Sequence, residues 1–314
     1  MKIISSAPGK LILFGEHASS RGKPAIIFAV NSRLTATLQA NKKSDEILLT
    51  SRELNVYREP YPTSALDLVS EAISFFYELT GCSKEPLELI IHSDILPGFG
   101  SSAAAIIATL GALNAYYGTD LSPFQLFELG FKTNFSIKGY GSGLDIATAL
   151  YGGLILYQKG TKSQKLPFEQ LDFIVGNTGV KAPSAPIVRS VRKFEQKEPA
   201  TSKAIFNEME RIVLAAEQAI LANDKPLLGQ LMNKNQQLLR ELKVSSPILE
   251  KLISASLKAG ALGAKLSGAG VGDNMIALVK KEQKEKVIRA INSVQGNALA
   301  SIMIDPQGLV VYQR

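Results

Sequence analysis

Leu96 to Ala105, LPGFGSSAAA, decides how the chain is read. An apolar alternating run, Leu87 to His92, precedes it, and an Ala/Ile/Leu pattern continues behind it to Tyr117. Strand, glycine-rich loop and helix therefore follow one another. Gly98 and Gly100 permit a tight turn and close backbone approach. Ser101 is a candidate N-cap for the helix. N–H groups at the helix start and the positive end of its dipole then face whatever lies over the loop, which makes an anion site suited to nucleotide phosphate. The P-loop pattern is absent, since no lysine follows the second glycine. Alone, the stretch reads equally well as a capped turn, and stretches elsewhere decide between the two.

Composition narrows the field. The chain has 314 residues, 46% of them hydrophobic, enough for one large domain or two ordinary ones with real cores. A single cysteine, Cys82, excludes a disulfide framework and a thiolate metal cluster, and two histidines, His17 and His92, cannot build a histidine metal site. No apolar run approaches the roughly 20 residues that span a bilayer, and the N-terminus lacks a signal-peptide core. A cytoplasmic protein without membrane association is expected. The net charge of +7 is spread along the chain, apart from Arg189–Lys193 and Lys280–Lys286, so the partners expected are small anions rather than nucleic acid.

Along the chain, Lys2 to Ala7 reads as a strand broken at Pro8-Gly9 and resumed at Leu11 to Phe14. Ala25 to Val30, Leu34 to Gln39 and Glu46 to Thr50 read as further strands. A helix is expected over 64–79 with Ser64 as cap, and another begins at Ser122-Pro123. Asp145 to Leu150 looks helical, Leu154 to Tyr157 and Phe173 to Gly176 extended. The region 204–260 is helical, punctuated by cap-plus-proline starts at Asn223-Asp224-Lys225-Pro226 and Ser245-Ser246-Pro247. Strands at 264–266 and 274–279, a helix over 281–292 and strands at 302–304 and 309–312 complete the pattern. It implies an α+β protein of two lobes, 1–165 and 166–314.

Two more stretches bear on chemistry. Ser6 to Ala18, SAPGKLILFGEHA, puts a cation (Lys10), a carboxylate (Glu16) and an imidazole (His17) close to irregular backbone; plain strand-end and loop roles also fit them. Lys265 to Leu278, KLSGAGVGDNMIAL, alternates Gly268, Gly270 and Gly272 between apolar strands, which suits either backbone approach to a ligand or an ordinary hairpin.

Taken in order, SAPGKLILFGEHA, GFGSSAA and KLSGAGVGDN resemble the three signature motifs of the GHMP kinases, which include galactokinases and homoserine, mevalonate and phosphomevalonate kinases. GEHA, GALGAKLSGAG (Gly260 to Gly270) and Asn235-Gln236 are most similar to the mevalonate kinase form. Gly141-Ser142-Gly143-Leu144-Asp145, followed by Tyr151-Gly152-Gly153, matches the segment that presents the catalytic aspartate. The resemblance implies a two-lobe GHMP fold, with an N-terminal lobe like ribosomal S5 domain 2 and a ferredoxin-like C-terminal lobe. It implies an ATP-dependent mevalonate kinase with Mg²⁺ as cofactor, ATP and a small anionic alcohol as partners, and an assembly that could be a homodimer.

By the same resemblance, Asp145 and Lys10 are catalytic. Pro97, Gly98, Phe99, Gly100, Ser101, Ser102 and Ala103 bind ATP, with Ser102 the Mg²⁺ ligand. Glu16, His17 and Ser267 lie at or near the acceptor. These roles suit phosphoryl transfer, which needs positioning and charge neutralisation. The chain departs from the family at three points: a loop about two residues shorter than the usual PxGxGLGSSA form, Asn134 where a magnesium-binding Glu usually stands eleven residues before the aspartate, and Val271 and Asp273 in the glycine run. Asn134 and Gly272-Asp273 lean toward phosphomevalonate kinases, for which Lys181, Arg189 and Arg192 are candidate cations. A sugar or homoserine kinase, or a member that binds without turnover, stays open.

Overall fold

The computed structural model describes residues 1–161, 163–169, 171–294, 296–299 and 302–313. They form two compact units. One holds Met1–Lys10, Ala29–Gly152 and Asp305–Arg314; the other holds Leu11–Phe28 and Gly153–Ile304. The units are thus interleaved along the chain rather than divided once near residue 165.

Strand β1 (Lys2–Phe14) runs through Pro8-Gly9 without the expected break. Proline fits extended backbone, and the lost ladder bond is offset beside it: the Lys10 N–H donates to Phe99 O at 2.7 Å. Strand β2 (Ala25–Ala40) is likewise continuous where a gap at 31–33 was expected. Arg33 explains this, since its guanidinium donates to Ser6 O at 2.9 Å, to Gly308 O at 2.6 Å and to Asp305 Oδ2 at 2.5 Å. A polar side chain so engaged has no reason to turn the chain outward.

β3 (Leu48–Ser51), β4 (Val56–Pro60), α1 (Asp67–Thr80), β5 (Leu87–Ser93), α2 (Ser101–Tyr117), α3 (Pro123–Lys138) and α4 (Leu144–Tyr151) follow. In the first unit the sheet order is Val310–Gln313, β1, β2, β5, β3, β4, with β3 parallel to β5. One side of it buries Ile3, Leu38 and Leu89 against Phe76, Ile106, Ile107, Leu110 and Ile146 of the helices. Two expected caps are corrected. Thr63, not Ser64, accepts the capping bond before α1. The N-cap of α2 is Gly100, at φ 79°, with no side-chain capping bond, so Ser101 is already helical and cannot cap. α3 starts as expected, with a full capping box between Ser122 and Gln125.

In the second unit, residues Ala25 to Phe28 of β2 pair with β6 (Leu154–Tyr157), and β6 with β7 (Gln164–Leu166). Then come β8 (Asp172–Asn177), α5 (Ser184–Lys197), α6 (Pro199–Leu221), α7 (Lys225–Glu241), α8 (Pro247–Lys258), β9 (Gly263–Ser267), β10 (Asn274–Val279), α9 (Lys284–Ser293) and β11 (Asn297–Leu299). The order β11-β8-β10-β9, all antiparallel, is the split βαβ arrangement of a ferredoxin-like sheet. α7 and α8 begin at the two expected cap-plus-proline starts, where Asp224 and Ser246 are the residues that cap. The basic run 189–193 lies on α5, a helix the sequence reading left out, and the closing strand of this sheet falls at 297–299 rather than 302–304.

The turn between β9 and β10 depends on its glycines unequally. A Cβ on Gly270 (φ 93°) would lie 2.1 Å from Val244 O, and one on Gly272 would lie 2.5 Å from Val180 O. Gly268 (φ 103°) faces open space. Gly268→Ala should therefore cost about 1–2 kcal/mol from backbone conformation alone. Gly270→Ala should cost clearly more, because the backbone of Val244 must also move. Urea unfolding of both variants checks this, and equal losses would contradict it.

Candidate active site

In the first unit the glycine-rich loop is built around a buried phenylalanine. Phe99 is 0% exposed, while Pro97, Gly98 and Ser101 are exposed. Gly98 (φ 83°) and Gly100 (φ 79°) make the turn possible. The Ala103 N–H bonds back to Gly100 O at 3.2 Å, and the N–H groups of Ser101 and Ser102 open the helix, where no intrahelical acceptor exists for them. Since no side chain caps α2, these donors and the positive end of the helix dipole are left for an anion. Ser102 is partly buried beside them.

Lys10 lies alongside this loop. A Cβ on Gly100 would stand 2.7 Å from Lys10 Cε, so only glycine leaves room for the lysine stem. Lys10 is 8% exposed, and its Nζ reaches Asp145 Oδ1 at 3.2 Å. Asp145 sits in the first turn of α4, entered through the left-handed Gly143 (φ 89°), and its side chain is 43% exposed. A carboxylate is thus held open to an incoming molecule while a buried cation fixes one of its oxygens.

In the second unit, Glu16 is part of a closed network. Lys265 Nζ pairs with Glu16 Oε1 and donates to Leu266 O at 2.6 Å, while Asn235 Nδ2 donates to Glu16 Oε2 at 3.2 Å. Both charged side chains are 0% exposed. Burial pulls the Lys265 ammonium below the ordinary lysine range, and the attraction of Glu16 opposes this. Gln236 extends the lock, accepting the Leu266 N–H at 3.0 Å. Ser267 Oγ both accepts from Ile12 N–H and donates to Ile12 O, each at 2.9 Å. The hydroxyl expected near the acceptor is engaged in fastening β9 to β1.

His17 sits at φ 61° with Nε2 2.9 Å from Ala269 O. A carbonyl only accepts, so Nε2 carries the proton and Nδ1 is left as an acceptor. Burial lowers the His17 pKa to about 4; the bond to Ala269 raises it, Arg21 lowers it and Glu195 raises it. The ring is neutral at pH 7. Nδ1 can accept a hydrogen bond from a hydroxyl, and no free ring N–H is left for a carboxylate.

The structure brings Lys10, Asp145 and the 97–103 loop together in one unit, and Glu16, His17 and Ser267 close in the other. Sequence reasoning missed two lysines. Lys265 was the first letter of a quoted motif, but its partner lies 249 residues away. Lys138 ends α3 and lies in the electrostatic surroundings of Lys10 and Asp145.

A helix start with uncapped N–H groups, a lysine on its loop and an aspartate on that lysine suit one kind of chemistry, the passage of a phosphoryl group to a hydroxyl. The comparisons with known proteins fall in that class. Residues 67–153 match the GHMP kinases N terminal domain, and residues 216–296 match GHMP kinases C terminal. The chain belongs to the GHMP kinase family. The mevalonate kinase of Pyrococcus furiosus is 38% identical over 99% of this chain and 98% of its own length. That of Thermococcus sibiricus is 36% identical over 98% of both. The crystal structure of L. major mevalonate kinase in complex with R-mevalonate matches with a TM-score of 0.77 at 29% identity, covering 92% of this chain and 90% of that one.

The buried pair gives a direct prediction. Lys265→Met should destabilise the protein by about 3–5 kcal/mol, since it strands the Glu16 carboxylate in the interior. Adding Glu16→Gln to that variant should restore much of the loss. Chemical denaturation of the single and double variants checks this, and a double variant no more stable than Lys265→Met would contradict it.

Proposed function

We propose that the chain transfers the terminal phosphoryl group of ATP to mevalonate, giving 5-phosphomevalonate and ADP. The observation that carries this reading is the Lys10–Asp145 contact beside the glycine-rich loop, in a chain similar to mevalonate kinases along its whole length. Asp145 accepts the proton of the acceptor hydroxyl. The hydroxyl oxygen bonds to the γ-phosphorus as the bond to the β–γ bridging oxygen breaks, and ADP leaves with that electron pair. Lys10 offsets charge on the transferring group, and the N–H groups at the start of α2 hold the phosphate chain. In the other unit, neutral His17 keeps Nδ1 as an acceptor for a hydroxyl.

Magnesium fits this donor set as an ion carried by the nucleotide. Among the described residues no group of three or more His, Cys, Asp or Glu side chains could hold a metal ion. Ser102 supplies one hard oxygen at the loop, and phosphate oxygens and water complete such a site. Bound there, the ion would neutralise phosphate charge. Among the described residues no helix is long and apolar enough to cross a membrane, and a cytoplasmic setting accords with the supply of ATP. Lys181, Arg189 and Arg192, the cations expected for a second acceptor phosphate, are all exposed. Mevalonate is preferred to phosphomevalonate because the relatives at 36–38% identity over nearly the whole chain are mevalonate kinases.

An ADP-release assay with mevalonate, phosphomevalonate, homoserine and galactose side by side tests the acceptor; turnover with mevalonate is expected, and turnover confined to another alcohol would overturn it. Asp145→Asn should lower kcat about 10²–10⁴-fold while ATP affinity stays within about threefold. Stopped-flow turnover and calorimetric binding measure the two, and a kcat within about tenfold of wild type would remove Asp145 as the base. Ser102→Ala should raise the Mg²⁺ concentration needed for half-maximal rate, whereas Ser101→Ala should not. Equal Mg²⁺ titrations for both variants would contradict the assignment of Ser102.

A further inference from the structure

His17 lies at φ 61° and ψ −38°, a backbone conformation that a residue with a side chain seldom adopts and that its neighbours must hold in place. A single 3₁₀ turn, Ala18–Arg21, follows and closes on Gly22 at φ 77°. One such turn has few bonds of its own with which to fix the residue before it. The hold comes from Arg21. Its Nη1 donates to His17 O at 2.7 Å and to Ser20 Oγ at 2.9 Å, and Ser20 Oγ donates to the same carbonyl at 2.8 Å.

Arg21 is itself held, within the same unit. Its Nε donates to Glu195 Oε1 at 2.6 Å and its Nη2 pairs with Glu195 Oε2, the two-pronged geometry that fixes the plane of a guanidinium. Its Cζ stands 4.5 Å from the centre of the Phe206 ring. Glu195 lies on α5 and Phe206 on α6. The Arg21 side chain is 18% exposed and that of Glu195 29%, so the pair is largely shielded from water. Two residues further on, Lys23 Nζ donates to Glu210 Oε2 of α6 at 2.5 Å and fastens the far side of the turn. The His17 carbonyl is thereby tied through one guanidinium to two helices. At its other end the ring donates from Nε2 to Ala269 O at 2.9 Å, and that bond decides which nitrogen carries the proton. The ring reaches Ala269 from one placement of its backbone, so a hold on the carbonyl is also a hold on the tautomer. Arg21 lowers the His17 pKa and Glu195 raises it, so the pair supplies placement while its two charges oppose each other at the ring.

We propose that Arg21, oriented by Glu195 and Phe206, is the positioning residue of His17, locking the imidazole as the Nε2–H tautomer so that Nδ1 is presented to a hydroxyl. The consequence for turnover rests on the reading in which that hydroxyl belongs to mevalonate.

The chain has two histidines, so nitrogen-15 spectra of the imidazoles report His17 directly, with His92 as internal reference. Ligand-free wild type at pH 7 should show His17 as a single neutral Nε2–H tautomer titrating near pH 4. The charged groups facing the ring are Arg21 and Glu195. Arg21→Met should mix the tautomers and move the titration upward by about one pH unit or more, since the opposing cation is gone and the ring is looser. Arg21→Lys keeps the charge and loses the planar fork, so it should resemble Arg21→Met. Glu195→Gln should mix the tautomers less, and the double variant should be no worse than Arg21→Met, because the two residues act as one clamp. With mevalonate, Arg21→Met should raise KM for the acceptor about tenfold and leave KM for ATP within about twofold. A single unchanged tautomer in Arg21→Met, full rescue by Arg21→Lys, or equal rises in both KM values would overturn the proposal. If Arg21→Met does not fold, Glu195→Gln, which keeps the shape of the pair, carries the spectral test, and an unchanged tautomer there would overturn it. Mixed tautomers with an unchanged KM for mevalonate would uphold Arg21 as the holder of His17 and remove His17 from the acceptor. If the wild type turns over no mevalonate, the acceptor reading fails, and the ligand-free spectra still decide the role of Arg21.

Discussion

Lys10 is held at both ends. Its N–H is fixed on Phe99 O, and Phe99 is itself locked in the interior, while its ammonium is fixed on Asp145. One residue thereby ties a strand, the glycine-rich loop and the first turn of α4 into a single geometry. The tie excludes any side chain at Gly100 and pulls β1 straight through Pro8-Gly9. Phosphoryl transfer has little need of reactive side chains and a strong need for placement, and a triangle of this kind suits it. The loop's donors are open to a ligand because glycine rather than serine begins the helix.

The second unit uses charge differently. Glu16 and Lys265 are both removed from water, and a pair so placed seldom adds net stability over an apolar one. Its value lies in fixing backbone. Lys265 and Asn235 take up both oxygens of Glu16, Gln236 takes the Leu266 N–H, and Ser267 closes on Ile12. His17, next to Glu16, is thereby presented at an unusual φ with its proton committed to Ala269. The network engages both oxygens of Glu16 within the fold, and it leaves Nδ1 of His17 as an acceptor atom.

Much of this was legible in the chain because turn chemistry is local. The α3 capping box, the proline starts of α7 and α8 and the strand–loop–helix around Gly98 all depend on residues a few positions apart. The site emerged from stretches that were ambiguous singly and telling in order. What stayed hidden was set by distant partners. Phe99 O replaces a ladder bond for β1, Arg33 keeps β2 unbroken, and the partner of Glu16 lies 249 residues along the chain. Ser101 misled because a left-handed glycine can begin a helix without any capping side chain, and nothing in the local pattern distinguishes the two. The α5 helix was obscured by its own basic run, although Ile187, Val191 and Phe194 carry a helical spacing.

The most direct measurement is a crystal structure with a non-hydrolysable ATP analogue bound. A terminal phosphate oxygen should lie within about 3.2 Å of Lys10 Nζ, with the N–H groups at the start of α2 on the phosphate chain and Asp145 facing the γ-phosphorus. A phosphate chain bound away from the 97–103 loop, with Lys10 and Asp145 still closed on each other alone, would contradict it.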